Sequence, residues 1–184
     1  MSLFQIEAEY FDGAVKMISQ TVFNDERGFF SVPYREDEFA KLGLPTNFVQ
    51  DNHSRSAKDV VRGLHFQPDP PMGKLMRVTC GDAYLVAVDI RPESPTFLKY
   101  ISGILSDNSN IWFWAEAGFA RGFAALSEGT EVQYKCTGMQ NHASDSSILW
   151  NDPDIGIEWP LNGCVPSLAP KDLQAPRLRD ADTF

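Results

Sequence analysis

Residues 62–67 form the segment whose residue types best suit proton transfer: Arg62-Gly63-Leu64-His65-Phe66-Gln67. If this segment is a β-strand, simple alternation places His65 and Gln67 on one face. Arg62 then shares the opposite face with Leu64 and Phe66. A histidine titrates near neutral pH, so on the inner wall of a β-structure His65 could act as a general base toward a buried ligand. A half-buried histidine that only completes a core is the competing interpretation.

A metal centre is the first alternative for such a histidine, because imidazole is a common ligand of transition metals. Metal-binding β-barrels often present two histidines two residues apart, but Gln67 stands two residues after His65. The remaining histidines, His53 and His142, have no paired ligand nearby in the sequence. We therefore expect no metal, and the chemistry must come from organic side chains.

Lys74 lies in a second segment with strand character, Gly73-Lys74-Leu75-Met76-Arg77-Val78. Alternation turns Lys74 and Met76 to one face, and Leu75 and Arg77 to the other. A lysine that points into a cavity can stabilise a developing oxyanion through its charge and a hydrogen bond. A solvated lysine that blocks aggregation at a sheet edge is the competing interpretation.

Tyr134 and Asp172 could complete a proton-transfer set. Residues 131–137 have strand character, and their inward positions are Val132, Tyr134 and Cys136. A buried phenol can donate or accept a proton, although packing alone would also explain a tyrosine in a strand. Asp172 follows Pro170 near the end of the chain. A carboxylate there could orient a catalytic histidine or merely cap the turn.

The acidic composition restricts the class of ligand. The chain has 184 residues, the size of one domain, and a formal net charge of −9. Because nucleic acids and anionic membrane surfaces attract basic proteins, we expect neither as a partner. An anionic ligand must instead be held by a few converging cations. The first residues lack the pattern of a signal peptide, and no apolar run has the length of a membrane span, so we expect a cytoplasmic location.

The three cysteines do not suggest a disulfide framework. Cys80, Cys136 and Cys164 are odd in number, widely spaced and without a CxxC pair. This pattern favours reduced, buried thiols with structural roles over a disulfide or a zinc site.

Short β-branched and aromatic segments between turn residues predict an all-β sandwich or barrel. Arg35–Leu42 is the one clear helix, residues 153–176 are expected to wrap the core as irregular chain, and residues 177–184 are expected to form a loosely held tail. The predicted strands are Val15–Phe23, Gly28–Tyr34, Asn47–Ser54, Val60–Gln67, Lys74–Cys80, Asp82–Asp89, Lys99–Leu105, Asn110–Ala115, Arg121–Ala125, Glu131–Thr137 and Ser147–Trp150.

Taken together, these motifs resemble the family of dTDP-4-dehydrorhamnose 3,5-epimerases along nearly the whole chain. Their order and spacing make a chance similarity very improbable. The segments that carry the resemblance are residues 25–30 (DERGFF), 50–54 (QDNHS), 62–67 (RGLHFQ), Lys74, 88–91 (VDIR), 94–97 (SPTF), 118–120 (GFA) with 122–123 (GF), 134–137 (YKCT), 150–153 (WNDP), 159–160 (WP) and 171–172 (KD).

The resemblance implies a cupin-like jelly-roll β-barrel that binds no metal and uses no cofactor. It also implies a homodimer in which an N-terminal strand is exchanged between the subunits. The implied substrate is a nucleotide-linked 4-keto-6-deoxy sugar, whose C3 and C5 hydrogens are acidic because both carbons flank the C4 ketone. Each inversion would remove one hydrogen and return a proton to the opposite face.

The resemblance also implies roles for individual residues. His65 is the base, Asp172 polarises it, Tyr134 delivers a proton from the other face, and Lys74 stabilises the enolate oxygen. The residues expected to bind the substrate are Arg62, Asn52, Gln50, Arg27, Phe30, Arg121, Gln67 and Lys171, with Arg27 reaching the nucleotide of the partner subunit.

Three positions depart from the family pattern. Arg121 replaces a histidine in the motif Gly-Phe-Ala-His-Gly-Phe, Val32 replaces a glutamate, and Gln140 falls where the family often has tyrosine. The proton-transfer set is intact. A single-carbon epimerase for another nucleotide or sugar, a ketoisomerase and a non-catalytic nucleotide-sugar binding barrel therefore stay open as alternatives.

Overall fold

β-Strands dominate the computed structural model, which describes residues 2–183. The helices are short: α1 spans Glu36–Lys41, α2 spans Pro170–Leu173, and a 3₁₀ helix spans Leu178–Asp180. The strands are β1 (Phe4–Tyr10), β2 (Val15–Gln20), β3 (Val22–Asp25), β4 (Gly28–Ser31), β5 (Gln50–Ser56), β6 (Val61–Phe66), β7 (Lys74–Cys80), β8 (Asp82–Asp89), β9 (Tyr100–Ser106), β10 (Ile111–Ala115), β11 (Phe119–Ala125), β12 (Thr130–Cys136) and β13 (Ser146–Ser147).

Two antiparallel sheets face each other. The six-stranded sheet has the order β1-β2-β10-β7-β12-β5, and the five-stranded sheet has the order β13-β6-β11-β8-β9. Strands β3 and β4 form a separate hairpin. This arrangement confirms the predicted all-β jelly roll. Within residues 2–183 the two sheets do not join into a closed barrel, so the architecture is a sandwich with free sheet edges.

Apolar side chains fill three layers. Between the sheets, Phe113 of β10 packs with Phe119 of β11 and Val132 of β12. Helix α1 covers the outer face of the six-stranded sheet through Phe39. The chain after β13 covers the outer face of the five-stranded sheet, as expected for the proline-rich C-terminal region. The inner faces of the two sheets are thus left to form the core and any enclosed site.

Several element boundaries differ from the sequence prediction. The predicted strand Val15–Phe23 is two strands, because β2 pairs with β1 and β10 whereas β3 turns away to pair with β4. Strand β1 was not among the strands predicted from the pattern. In the expected tail, Leu178 is buried and its amide donates to Asp152, which anchors this part of the chain. Phe184 lies outside the described residues.

Strand β6 departs from simple alternation. His65 pairs with Arg121 of β11, but Arg62 pairs with Phe123, so β6 has one residue more than β11 between these pairs. This β-bulge turns Arg62 to the inner face with His65, whereas Leu64 packs in the outer core. The prediction that Arg62 lies on the face opposite to His65 was therefore wrong, because a bulge shifts the side-chain period by one residue.

Two glycines make the bulge possible. Gly63 has a φ of +125°, which L side chains rarely adopt, and a Cβ there would lie 2.6 Å from Cα of Gly122. A Cβ at Gly122 would in turn lie 2.8 Å from the carbonyl oxygen of Arg62. Strands β6 and β11 therefore approach each other at a distance that only glycine allows.

We expect Gly63→Ala to destabilise the fold by about 3 kcal/mol, because it combines backbone strain with a backbone clash. Gly43→Ala is a matched control: Gly43 also has a positive φ, +68°, but a Cβ there would meet no atom within 4 Å. Strain alone should cost this control about 1 kcal/mol. Urea unfolding measures both free energies, and equal losses would contradict the close contact between the strands.

Candidate active site

A pocket opens between the inner faces of the two sheets. The five-stranded sheet contributes His65 from β6 and Arg121 from β11, and the six-stranded sheet contributes Lys74 from β7 and Tyr134 from β12. The remaining lining residues are Asn52, Ser54, Arg62, Gln67, Met72, Met76, Gly122, Phe123, Gln140, Asp145 and Lys171. Three of the four residues expected to be catalytic therefore line one cavity.

Asp172, the fourth, lies directly behind His65. The distance between His65 Nε2 and Asp172 Oδ1 is 2.7 Å, and the carboxylate is only 1% exposed. Burial alone would raise the pKa of Asp172, but the hydrogen bond and the charge of His65 hold it below its usual value. Since an ionised carboxylate can only accept, Nε2 donates, and Nδ1 is left as the ring nitrogen that can take up a proton.

The chain after β13 carries Asp172 to this position. Ser167 bridges to Val60, and the amide of Val61 at the start of β6 donates to the Ser167 carbonyl. Pro170 then opens the short helix α2, which contains Asp172. The amide of Gly63 donates to Asp172 Oδ2 at 3.4 Å. The C-terminal segment thus pairs with the same strand that holds the histidine.

Lys74 and Tyr134 lie together on the opposite wall. The predicted alternation of β7 is confirmed, because Lys74 and Met76 line the pocket while Leu75 packs in the outer core. Lys74 Nζ lies 5.2 Å from the centre of the Tyr134 ring. Burial, and then the charge of Arg121, lower the pKa of Lys74 to about 8. Burial raises the pKa of Tyr134. The phenol is therefore protonated at neutral pH, and the ammonium of Lys74 loses its proton at a lower pH than an ordinary lysine.

Arg121 is almost completely buried, at 3% exposure. Its Nη1 donates to the carbonyl oxygens of Met72 at 2.7 Å and Glu116 at 3.2 Å, and more weakly to that of Ala115 at 3.5 Å. Burial lowers its pKa to about 10, so the guanidinium stays charged at neutral pH. The sequence prediction gave Arg121 a role at the site without indicating that backbone carbonyls would hold it.

Four further residues expected at the site line the pocket. Arg62 Nε donates to Ser56 Oγ, which holds the guanidinium beside the cavity. Asn52 lies on β5 opposite Tyr134, and Lys171 forms an ion pair with Asp145. Gln67 is buried, and its amide group bonds the backbone of Pro70, Met139 and Asn141. The structure thus ties Gln67 to the loop after β12.

The last three expected binding residues do not line this pocket. Gln50 lies at the rim of the pocket. Its side-chain Nε2 donates to Asn52 Oδ1, and its Oε1 accepts from the backbone amide of Gln140. Arg27 and Phe30 lie on the β3–β4 hairpin, and Arg27 is paired with Asp25. In one chain, therefore, the hairpin is separate from the pocket that His65, Lys74 and Tyr134 line.

A sequence profile of the family described as dTDP-4-dehydrorhamnose 3,5-epimerase matches residues 12–180. The dTDP-4-dehydrorhamnose 3,5-epimerase of Salmonella typhimurium is 48% identical over 169 residues, which are 91% of this chain and 92% of that protein. The chain belongs to the dTDP-4-dehydrorhamnose 3,5-epimerase family. The family resemblance seen in the motifs is thereby confirmed, and the chain is an isomerase of the nucleotide-sugar class.

Solved structures of this epimerase family match the fold closely. An epimerase of Legionella pneumophila in complex with dTDP-4-keto-L-rhamnose has a TM-score of 0.93 and 41% identity, and the match covers 97% of this chain and 95% of that one. A 3′-monoepimerase of Streptomyces bikiniensis in complex with dTDP-quinovose has a TM-score of 0.85 and 27% identity, over 91% of this chain and 85% of that one. Both double and single epimerases therefore share this architecture.

Sequence reasoning missed several parts of the epimerase pocket. Asp145, the ion-pair partner of Lys171, stands in an irregular loop without a periodic signal. The prediction of three buried cysteines was wrong: Cys136 is buried near the pocket, but Cys80 and Cys164 are exposed. Cys80 ends a strand and Cys164 lies in a loop, so neither is covered by packing.

Two absences concern the described part of the epimerase chain. Among residues 2–183, no three side chains of His, Cys, Asp or Glu converge as metal ligands would. In the same range, no helix is both long and apolar enough to cross a membrane.

Asp172→Asn removes the charge that pairs with His65. Because folding depresses the pKa of Asp172, its charge stabilises the fold above the ordinary carboxyl pKa of about 3.9, and this contribution is lost as the pH falls through the lower folded-state value. We expect the variant to lose about 2 kcal/mol near pH 7, and the difference from wild type to shrink below about pH 4.

The control for this measurement is Asp51→Asn. Asp51 pairs with Lys135 at an exposed position, so its loss should change the free energy of unfolding by less than about 1 kcal/mol. Urea unfolding at several pH values gives both differences. A loss in Asp172→Asn that stays constant down to about pH 3 would contradict the depressed pKa.

Proposed function

We propose that this chain inverts C3 and C5 of dTDP-4-dehydro-6-deoxy-D-glucose and so forms dTDP-4-dehydro-L-rhamnose, without a cofactor. The family membership supports the reaction class. The bound dTDP-4-keto-L-rhamnose in the Legionella relative, which matches with a TM-score of 0.93, supports the sugar and the nucleotide.

One observation carries the proposal: two proton-handling groups lie on opposite walls of one pocket. His65 belongs to the five-stranded sheet and Tyr134 to the six-stranded sheet. A sugar ring between the sheets therefore has a base on one face and an acid on the other. Inversion at a carbon next to a ketone requires this arrangement, since the proton must leave from one face and return to the opposite one.

The proposed step begins with His65 Nδ1, which removes a proton from the carbon next to the C4 ketone. The electron pair of the C–H bond moves to the ketone oxygen and forms an enolate. Lys74 stabilises this oxygen through its charge. The enolate then collapses, and its carbon takes the phenolic proton of Tyr134 from the other face. Protons exchanged with solvent restore His65 and Tyr134, and Asp172 stabilises the protonated imidazole in between.

Binding of the diphosphate requires cations in a strongly acidic protein. We assign this role to Arg62, with the amides of Asn52 and Gln50 beside it at the rim. Lys171 and Gln67 contribute to the same wall. An arginine fork suits phosphate oxygens, and its bond to Ser56 reduces the freedom that binding would otherwise have to remove.

We further propose that the protein is a homodimer in which the β3–β4 hairpin reaches the pocket of the partner. Phe29 and Phe30 are exposed on this hairpin, and Arg27 is 84% exposed. Exposed aromatic side chains next to a cation suit a contact with a nucleotide base and diphosphate. The N-terminal strand exchange implied by the family resemblance and the cytoplasmic location stay predictions.

Inversion of a single carbon is the second candidate function. The single epimerase of Streptomyces bikiniensis shares the fold, and Gln140 stands at the rim of the pocket in place of a family tyrosine. A change at this position would alter how the sugar lies between His65 and Tyr134. The number of carbons that exchange hydrogen with solvent decides between the two candidates.

In heavy water, we expect the wild type to incorporate one deuteron at C3 and one at C5 of dTDP-4-dehydro-6-deoxy-D-glucose, as followed by NMR and mass spectrometry. His65→Ala should abolish this exchange, because no other base lies on that wall in the proposed mechanism. A single deuteron in the wild type would favour the single-carbon epimerase.

His53→Ala is the matched control for this experiment. His53 is a histidine on the neighbouring strand β5, but it is exposed and paired with Glu131. Its loss should leave the exchange rate within about twofold of wild type, because His53 is exposed and does not line the pocket. Retained exchange in His65→Ala would refute the proposed base.

The shared site can be tested by mixing two inactive variants. In a homodimer built as proposed, Arg27→Ala impairs the nucleotide contact of both pockets and His65→Ala removes the base from both. Exchange of subunits yields mixed dimers with one pocket that has both His65 and an Arg27 from the partner. We expect epimerase activity to rise toward about half of the wild-type value per mixed dimer.

The control mixture combines His65→Ala with Tyr134→Phe, and it requires no residue from across the interface. Each pocket of this mixed dimer lacks either the base or the acid, so activity should not return. Equal activity in both mixtures, or a monomer in analytical ultracentrifugation, would contradict the shared site.

A further inference from the structure

The guanidinium of Arg121 is held from one side only. All its hydrogen bonds within residues 2–183 are donated by Nη1, to the carbonyl oxygens of Met72, Ala115 and Glu116. These carbonyls belong to the loop before β7 and to the end of β10, so two segments of the fold hold the side chain. Its position is therefore set before any ligand arrives.

The other edge of the same guanidinium has no acceptor. Nε is buried and unpaired, and Nη2 forms no hydrogen bond with the described residues. A buried N–H without a partner costs free energy comparable to a lost hydrogen bond, and native proteins rarely leave one. The Nε–Nη2 edge is also the edge with which arginine binds two oxygen atoms at once. This edge of Arg121 is therefore free to bind a ligand oxygen.

The location of Arg121 indicates which part of a ligand it meets. It pairs with His65 across strands β6 and β11, so both side chains emerge on the same face of the sheet. Its charge acts on Lys74 and on Cys136, both on the opposite wall. Arg121 is buried, whereas Arg62 is exposed at the rim. The inner end of the pocket thus receives the reacting ring, and the diphosphate lies toward the rim.

We propose that the free edge of Arg121 binds an oxygen atom of the sugar ring and, together with Lys74, stabilises the enolate. This inference rests on the proposed function, because it assigns Arg121 to the sugar of that reaction. An arginine in such a site would ordinarily suggest a contact with phosphate, but we assign Arg121 a contact with the sugar instead. Two cations then flank the developing negative charge, and because Arg121 is buried and Lys74 half-buried, their charges act more strongly there than in bulk water.

The charge of Arg121 also adds to the effect of burial in lowering the pKa of Lys74 to about 8. The charged and titratable groups that act on Lys74 include Arg121 and Lys171, which oppose its protonation. Cys136 and Asp145 favour it, and the ring of Tyr134 lies beside it. Removing the Arg121 charge should therefore raise the pKa of Lys74 above about 8. A residue with a purely structural role would not move this titration in a defined direction.

The test compares Arg121→Gln and Arg121→Lys with the wild type in the deuterium-exchange and epimerisation assays. We expect Arg121→Gln to lower kcat about 100-fold, the effect of removing one oxyanion donor, and Arg121→Lys to lower it about 10-fold. In Arg121→Gln, the fall of kcat at alkaline pH should move to higher pH, because the pKa of Lys74 rises. Affinity for dTDP alone, measured by calorimetry, should stay within about threefold, because the contact is with the sugar.

Arg77→Gln is the matched control. Arg77, like Arg121, is an arginine with side-chain hydrogen bonds, here to Gln133, but it is only partly buried, lies on the outer face of β7 and stacks on Trp112. This variant should keep the wild-type kcat and pH profile. It measures the general cost of removing a partly buried arginine from this part of the fold.

A folded Arg121 variant that binds dTDP and keeps the wild-type kcat overturns the role of Arg121. Loss of dTDP affinity in step with kcat also overturns it, because the contact would then be with the nucleotide. If Arg121→Gln does not fold, Arg121→Lys decides on the same criteria. A wild type that exchanges no deuterium refutes the proposed function, and the role of Arg121 with it.

Discussion

The close approach of β6 and β11 is the constraint on which the rest of the site depends. Gly63 and Gly122 let the two backbones approach so closely that neither position has room for a Cβ. The extra residue in β6 at this point places Arg62 and His65 on one face, although they are three residues apart. The amide of Gly63 also donates to the carboxylate of Asp172. One irregularity thus aligns Arg62, His65 and Asp172, to which we assign diphosphate binding, proton abstraction and support of the base.

The same pocket concentrates positive charge in a protein whose net charge is −9. Arg62, Lys74, Arg121 and Lys171 line it, against the single carboxylate of Asp145 among the described lining residues. Burial of Lys74 and Arg121 is costly, and their lowered pKa values reflect that cost. A doubly charged diphosphate and an enolate would relieve it. The positive charge of the pocket therefore matches the negative charge of the proposed ligand and intermediate.

Stability and function share the same contacts in the C-terminal region. Leu178 is buried against the five-stranded sheet, and Asp152 accepts its amide at 2.7 Å. This packing holds the segment that contains α2, and α2 holds Asp172 behind His65. The outer face of the sheet is thus covered by the chain that completes the inner site. A disturbance of this outer layer would reach His65 through Asp172 without touching the pocket.

The sequence by itself determined the all-β class, most strands, the inward alternation of Lys74 and Tyr134, and, through motifs, the family. These follow from residue type and a period of two, which are local properties. It could not predict that Arg62 turns inward, because a bulge arises only when two strands pair with unequal numbers of residues. Nor could it predict the ion pair of Asp145 or the carbonyl cradle of Arg121, whose partners are distant in the chain. Only the tertiary structure decided these features, because they depend on which backbone segments approach each other. The same packing buries the charge of Arg121 and leaves one edge of its guanidinium free.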